Sequence, residues 1–364
     1  MQSLWPGRGP RVMQVGITER CNYHCLMCAT HSPLVPGQPP EGERPQMPLA
    51  QFRALVEELG RLEVGWADLV GLGEPLLHPD FFEMAVAAKA AGLKVHLSTN
   101  GAMLTLAKAE RLVEIGLDSM NVSINAGSDD VYHEVHPTAS VGARERILES
   151  LRAMRAHATR IGKPVPLIGL TAVVFKQTYR DLPALVQAAA ETGVIRVGFL
   201  PMAAVAATQA LALSAEEWQE ARGVLAAAEE LGRHVGVSTN APSLLAAEQP
   251  TAAREAHRRI SCYAGHVFGL VYADGQVRFC CGCGLTVGNI NTQSFGEIWH
   301  GREYVRLREM ALGLPRTGEV AEGCTCLSSC PHTPHNIAVH NALYPRAARP
   351  APVTLDRRFV PEPR

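Results

Sequence analysis

The sequence from residue 11 to residue 201 alternates short apolar runs with longer amphipathic segments. The apolar runs have the length of buried strands, and the amphipathic segments repeat their apolar residues at helical spacing. Predicted strands cover residues 12–18, 68–71, 93–98, 119–124, 167–175 and 195–200, and predicted helices cover residues 48–62, 80–91, 104–115, 143–157 and 179–192. Because strands that alternate with helices form parallel sheets, we expect an α/β fold with its active site at the carboxyl ends of the strands.

The chain after residue 202 departs from this alternation. Residues 203–260 are alanine-rich and predict a helical bridge, whereas Asp274 and Gly275 between two apolar runs predict a β-hairpin. We therefore expect four parts: a core at 1–202, a bridge at 203–260, a small α+β module at 261–332 and a tail at 333–364.

Composition excludes several classes of function. The chain of 364 residues is 47% hydrophobic, enough for a large core, and its net charge of -1 gives no electrostatic reason to bind nucleic acid. No apolar run approaches the roughly 20 residues of a membrane helix, and the N-terminus lacks a signal-peptide pattern. We therefore expect a cytoplasmic protein without a membrane or nucleic-acid partner, whose thiols act as metal ligands or catalysts rather than disulfides.

Three of the ten cysteines directly follow the first predicted strand. Cys21, Cys25 and Cys28 spell C-x3-C-x2-C, and thiolates favour iron-sulfur clusters, zinc or copper(I). A [4Fe-4S] cubane normally takes four cysteines, so three would leave one iron open to a cofactor. The same residues could alternatively be small hydrophobes on one helix face or part of a zinc site.

This motif resembles that of the radical S-adenosylmethionine (SAM) superfamily, in which it follows the first strand of a partial (β/α)6 barrel. The resemblance implies a [4Fe-4S] cluster whose open iron binds SAM, and a 5'-deoxyadenosyl radical formed with one electron. A flavodoxin- or ferredoxin-type donor would supply that electron. Met27 occupies a position that is often aromatic in the family and that contacts the cofactor mostly through its backbone.

Residues 71–75 read G-L-G-E-P at the end of the second predicted strand, which resembles the family's G-G-E-P motif for the SAM amino group. Glycine permits close backbone approach to a ligand, and a carboxylate can accept a hydrogen bond from an amine. Gly73, Glu74 and Pro75 are therefore candidate cofactor contacts. A tight strand-helix connection would give the same residues.

Polar residues also follow the third and fourth predicted strands. Asn100, Ser123 and Asn125 carry short amide and hydroxyl groups that suit hydrogen bonds to a ribose or a carboxylate. A serine in the fourth strand is a recurring SAM contact in the family. Turn formation and helix capping would favour the same residue types.

The other seven cysteines lie between residues 262 and 330. Cys262, Gly275 and Cys280 resemble the C-x(9-15)-G-x4-C signature of SPASM and twitch modules, which implies one auxiliary [4Fe-4S] cluster. The candidate ligands are Cys262, Cys280 and Cys330, with Cys326 or Cys324 as the fourth. Four thiolates could instead hold a structural zinc ion, because residue types alone do not separate the two metals.

Cys281 and Cys283 are surplus to this set. They are either buried small hydrophobes or, as in some epimerases of the family, a hydrogen-atom donor to a substrate radical. Further acid-base candidates lie near predicted strand ends, where surface and structural roles are the commoner ones. They are His78, His96, His133, Glu134, His136 and Lys176.

An auxiliary cluster is useful when a substrate radical must lose an electron, so we expect oxidation or epimerisation. The first hypothesis is a small polar substrate such as a sugar, aminocyclitol or nucleoside. The N-terminal extension of about a dozen residues leaves no room for a leader-peptide domain, and Cys25 to Cys28 resemble the natural-product dehydrogenase branch. The alternatives are a ribosomally made peptide, with a peptide-binding partner, and a non-catalytic iron-sulfur carrier.

Overall fold

The computed structural model describes residues 8–246, 252–324, 330 and 332–344. Cys326 and residues 345–364 of the predicted tail lie outside the described residues. Within the described part of the chain, no helix has the length and apolar character needed to cross a membrane.

The described strands form one ten-stranded sheet in the order β10-β9-β8-β1-β2-β3-β4-β5-β6-β7. Strands β1 to β7 are parallel to their neighbours, and β8 pairs in parallel with β1 before the antiparallel β9 and β10. The strands are β1 (Val12–Val15), β2 (Trp66–Leu69), β3 (Lys94–Thr99), β4 (Ser119–Ser123), β5 (Leu167–Val174), β6 (Arg196–Pro201), β7 (Ser238–Thr239), β8 (Phe268–Val271), β9 (Gln276–Cys280) and β10 (Cys283–Asn289).

Helices connect the parallel strands and continue beyond them. They are α1 (Leu49–Arg61), α2 (Phe81–Ala90), α3 (Leu106–Glu114), α4 (Asp129–Val135), α5 (Ala143–Arg160), α6 (Leu182–Glu191), α7 (Ala215–Val235), α8 (Ala241–Ala246), α9 (Ala252–Arg259), α10 (Ala264–Val267), α11 (Phe295–His300), α12 (Arg302–Thr317) and α13 (Thr333–Leu343). Short 3-10 turns lie at Glu41–Glu43, Pro75–Leu77, Tyr179–Asp181 and Ala206–Leu211. The six strands and five helices predicted for residues 12–200 are present with small shifts at their ends, which confirms the α/β core.

The two faces of the central sheet differ in chemistry, because successive residues of a strand point to opposite sides. One face consists of apolar side chains that share a single core with helix residues such as Leu55 and Leu112. Its aligned residues are Met13, Val15, Ala67, Leu69, Val95, Leu97, Met120 and Val122. The other, inner face of the partial (β/α)6 barrel is polar, with Gln14, Asp68, His96, Ser98, Ser119, Asn121, Ser123 and Thr171 in register.

The C-terminal module, which was predicted as a separate part of the chain, continues the sheet of the barrel. Phe268 pairs with Val12 and Val271 pairs with Val15, so β8 extends the barrel sheet beyond β1. The predicted hairpin is present, with Gly275 at a positive φ of 86° between β8 and β9. The strands β7 and β10 and the helix α4 were not predicted, and residues 333–343 of the predicted tail form the helix α13. The boundaries at residues 202, 260 and 332 stay predictions.

Candidate active site

The cysteine loop begins a few residues beyond the carboxyl end of β1 and carries Cys21, Cys25 and Cys28 as free, half-buried thiols. Burial raises the pKa of Cys21 to about 12 and also raises the pKa of Cys25, and the neighbouring thiols raise both further. The backbone amides of Thr30 and His31 donate to Cys28 Sγ at 3.4 Å and 3.2 Å. The loop thus gathers thiols whose anionic form needs a positively charged partner.

The three thiols do not converge on one point. Among residues 8–246, 252–324, 330 and 332–344, no three Cys, His, Asp or Glu side chains are placed to hold a single metal ion. In an iron-sulfur cubane each cysteine binds a different iron, so the sulfurs are necessarily spread apart. Three thiolates are the soft ligands that iron-sulfur clusters use, so the donor set of this loop fits a cluster.

The turn after β2 packs directly on the cysteine loop. The amide of Glu74 donates to the carbonyl of Arg20 at 2.8 Å. A Cβ at Gly73 would overlap the Arg20 carbonyl oxygen, so only glycine permits this approach. Pro75 begins the 3-10 turn Pro75–Leu77, and Met27 lies half-buried on the facing loop. The structure therefore brings the predicted cysteine and G-x-G-E-P motifs together.

The Glu74 carboxylate accepts hydrogen bonds from the chain itself. Its side chain is buried and accepts hydrogen bonds from Leu76 N at 3.0 Å, Thr99 Oγ1 at 2.7 Å and Asn100 N at 2.6 Å. Burial raises its pKa, and the three donors oppose that rise. Through these bonds the carboxylate joins the ends of β2 and β3, and its contact with a cofactor stays a prediction.

Asn100 lies between that turn and the cysteine loop. Its Nδ2 donates to Asn22 Oδ1 at 2.9 Å and lies 3.8 Å from Cys21 Sγ. Its Oδ1 accepts from Ala102 N at 2.9 Å, which is a turn-forming contact. The structure therefore shows the turn-forming contact of Asn100, and its contact with a cofactor stays a prediction.

Ser123 and Asn125 end β4 on the polar side. Thr171 Oγ1 donates to Ser123 Oγ at 3.3 Å, and Ser123 remains half-buried. Asn125 has a positive φ of 60° and is buried. Its Oδ1 accepts from Val173 N at 3.0 Å and its Nδ2 approaches His136 Nε2 at 3.2 Å, so its amide fixes the end of the strand.

Two catalytic candidates of the core lie near strand ends, since His136 contacts Asn125 and Lys176 follows β5. His136 is buried, its Nδ1 donates to the carbonyl of Tyr132 at 3.0 Å, and burial lowers its pKa to about 4. Lys176 is exposed, and its Nζ donates to the carbonyl of Ala210 at 2.9 Å. These contacts give both residues structural roles.

The sequence did not reveal the supports of the cysteine loop. Tyr23 Oη lies 3.1 Å from Tyr132 Oη on α4, and Leu26 N donates to Val135 O at 3.0 Å. On the other side, His31 and Glu41 contact the same loop. A histidine and a glutamate follow the motif in the sequence, and they were the only sign of these supports. Whether they reach the cysteines depends on how residues 29–47 fold back.

The C-terminal module brings together part of the predicted ligand set. Burial raises the pKa of Cys280, and the nearby charge of Cys262 raises it further. Burial also raises the pKa of Cys330. Cys281 Sγ lies 3.4 Å from His332 Nε2, and burial raises the pKa of Cys281 to about 11. These four thiols lie close enough for their charges to interact.

The prediction treated Cys283 as surplus and Cys324 as a possible ligand. Cys283 is the antiparallel partner of Cys280, and Cys324 bridges to Cys283 from the other side. The Cα atoms of Cys283 and Cys324 are 4.4 Å apart, so β10 places these two cysteines side by side. Cys324 thus lies beside Cys283, which the sequence had treated as surplus.

The arrangement is that of an iron-sulfur enzyme built on a parallel α/β sheet. Family models agree: the radical SAM superfamily model matches residues 15–189, and the SPASM model, an iron-sulfur cluster-binding domain, matches residues 262–331. The chain belongs to the radical SAM superfamily and carries a C-terminal SPASM module. Its cofactors are accordingly a [4Fe-4S] cluster, SAM and an auxiliary iron-sulfur cluster.

Curated relatives differ widely in function. The chain is 32% identical to a pre-heme d1 synthase of Dinoroseobacter shibae over 49% of this chain and 40% of that protein. It is 26% identical to a PqqA peptide cyclase of Xanthomonas campestris over 96% of this chain and 94% of the cyclase. The chain spans about half or less of the length of several relatives that it matches.

Solved structures support the fold. Streptococcus suis SuiB, in a crystal structure bound to S-adenosylmethionine, aligns with a TM-score of 0.63 at 14% identity, covering 88% of this chain and 72% of SuiB. At this identity the likeness concerns the fold alone.

Proposed function

We propose that the chain cleaves SAM reductively and abstracts a hydrogen atom from a small polar substrate, giving oxidation or epimerisation. Cys21, Cys25 and Cys28 are the proposed ligands of the SAM-binding cluster. When bound, cluster and SAM together supply the 5'-deoxyadenosyl radical. The role of this chain is to hold SAM beside the cysteine loop, orient the substrate and exclude water.

The cofactor would lie between the cysteine loop and the strand ends. The backbone of the Gly73 turn faces the loop, because the amide of Glu74 donates to the carbonyl of Arg20. Asn100 Nδ2 and Ser123 Oγ are half-buried groups at the ends of β3 and β4, where they can reach a ribose or a carboxylate. Asn125 would act indirectly, by fixing the end of β4.

We infer a polar substrate from the polar inner face of the sheet. His96 Nδ1 lies 2.7 Å from Ser119 Oγ, and His96 Nε2 lies 3.3 Å from Ser98 Oγ and 3.7 Å from Asp68 Oδ1. Such a connected set of donors and acceptors is costly to bury unless polar partners are present. A substrate rich in hydroxyl or amino groups would provide partners at the open end of this face.

The SPASM module would accept the electron that the substrate radical loses. Cys262, Cys280 and Cys330 are the proposed ligands of the auxiliary cluster, supported by the mutual effect of their charges. The parallel pairing of β8 with β1 holds the module against the barrel. A flavodoxin- or ferredoxin-type protein is the proposed electron donor for SAM cleavage.

A peptide substrate is the second candidate. One observation favours it: the PqqA peptide cyclase matches 96% of this chain, although at 26% identity. A peptide that carries the reacting residue would then replace the small molecule, and a peptide-binding partner could deliver it.

Deuterium transfer separates the two candidates. The loaded enzyme would be incubated with SAM, dithionite and either deuterated sugars, aminocyclitols and nucleosides or deuterated peptides. Deuterium in 5'-deoxyadenosine from a small polar compound supports the proposal, and transfer from peptides alone overturns it. His96→Ala should reduce transfer while retaining SAM cleavage without substrate, whereas Lys94→Ala, at the exposed start of the same strand, should not.

A further inference from the structure

A group of ionisable side chains, two of them buried, lies directly behind the cysteine loop. Residues 29–47 fold back over the loop and bring His31, Glu41 and Arg44 into contact. His31 is 1% exposed and Arg44 is 4% exposed. Burying such groups is unfavourable unless they are paired and bonded, so their placement beside the cluster site requires an explanation.

This group holds both ends of the cysteine motif. Glu41 Oε2 accepts a hydrogen bond from the backbone amide of Cys21 at 2.8 Å. At the other end, the amide of His31 donates to Cys28 Sγ at 3.2 Å. The first and third cysteines are therefore fixed through two residues that pair with each other, since His31 Nδ1 lies 3.0 Å from Glu41 Oε1.

The same group reaches the turn that follows β2. His31 Nε2 donates to the carbonyl oxygen of Leu72 at 2.7 Å, within the G-L-G-E-P turn. Arg44 Nε pairs with Glu41 Oε1 at 2.9 Å, and a second guanidinium nitrogen donates to the carbonyl of Thr30 at 3.3 Å. One connected network thus spans the cysteine loop, residues 29–47 and the turn after β2.

We propose that His31, Glu41 and Arg44 are positioning residues that fix the cysteine loop relative to the turn and set the reduction potential of the SAM-binding cluster. The proposal rests on Cys21, Cys25 and Cys28 as the ligands of that cluster. Hydrogen bonds and charges around the sulfurs are recognised controls of cluster potential and of ligand orientation. A carboxylate held against the Cys21 amide opposes the addition of an electron, and the Arg44 cation partly offsets that effect.

Two substitutions with opposite expected signs test the charge effect. Glu41→Gln keeps an acceptor for the Cys21 amide but removes the negative charge. The midpoint potential should therefore rise by about 59 mV, which is a tenfold change in the equilibrium constant of a one-electron reduction. Arg44→Gln removes the compensating cation and should lower the potential. Glu43→Gln is the matched control, because Glu43 is exposed on the same 3-10 turn.

The potentials would be measured by EPR-monitored redox titration of the reconstituted, full-length protein. The affinity of the His31→Ala variant for SAM would be measured in the same preparations. We expect it to fall about tenfold at unchanged iron content, because the hydrogen bond from His31 to Leu72 is lost.

The proposal is overturned if Glu41→Gln and Glu43→Gln share the wild-type potential in iron-loaded protein, or if Arg44→Gln does not lower it. Should Glu41→Gln fail to fold, Arg44→Gln decides alone. Failure of the underlying ligand assignment would look different, because Cys25→Ala would then still load the cluster and cleave SAM.

Discussion

The Thr99 hydroxyl donates to Glu74 Oε1 at 2.7 Å, which joins the carboxyl end of β3 to the turn after β2. Glu74→Gln would turn one acceptor into a donor that faces the backbone amide of Leu76 or of Asn100. An unpaired buried donor costs about 1–3 kcal/mol, so the free energy of unfolding should fall by that amount and SAM cleavage with it. Denaturant titration measures the change, and Glu57→Gln on the exposed side of α1 should behave as wild type.

Gly73 has the least space of the motif glycines, because its added Cβ would meet the backbone of Glu19 and Arg20. Gly73→Ala must therefore push the turn away from the cysteine loop. Overpacking of this kind costs about 1–3 kcal/mol, and we expect a rise in the Kd for SAM with it. Gly223→Ala, in α7 with open space around it, should leave the Kd unchanged. Equal Kd values in the two variants would contradict the close approach.

His136 predicts a pH dependence of stability. Burial lowers its pKa from 6.5 to about 4, so the unfolded chain takes up the proton first as the pH falls. The stability that neutral His136 contributes is complete above pH 6.5 and is lost toward pH 4, at most about 3 kcal/mol. Anaerobic urea titrations at pH 7.5 and pH 5 would show a smaller difference for His136→Gln than for wild type. His234→Gln, at an exposed position of α7, should keep the wild-type difference, and an identical difference in all three proteins would refute the burial argument.

Iron analysis tests the auxiliary ligands. With two cubanes the wild type should hold about eight irons per chain, and Cys262→Ala should hold about four. Cys281→Ala is the neighbouring thiol control and should keep about eight. A loss of four irons from Cys281→Ala would instead make Cys281 the fourth ligand, and about four irons plus one zinc in the wild type would remove the electron-acceptor role.

The sequence predicted the local elements well because their signals are local. The apolar run at 119–124 corresponds to β4, and the amphipathic stretch at 143–157 corresponds to most of α5. Contacts between distant segments were not predictable in the same way. The position of Cys324 beside Cys283 and the occupation of Glu74 by Thr99 depend on the tertiary approach of segments far apart in the chain.

In the candidate site, too, local motifs were predicted and contacts between distant segments were not. Motif spacing identified the cysteine loop and the turn after β2, because each motif is contiguous. Their supports were missed, since His31 and Glu41 have no spacing rule that relates them to a cluster. The sequence left Asn125 open between a ligand contact and turn formation, and its positive φ and its bond to Val173 show the second of these.

The production of 5'-deoxyadenosine tests the central claim most directly. Anaerobically reconstituted protein would be incubated with SAM and dithionite, and the product measured by liquid chromatography with mass detection. We expect 5'-deoxyadenosine from the wild type and from Cys281→Ala, and none from Cys25→Ala. No product from the wild type, or the same amount from Cys25→Ala, would contradict a three-cysteine cluster that cleaves SAM.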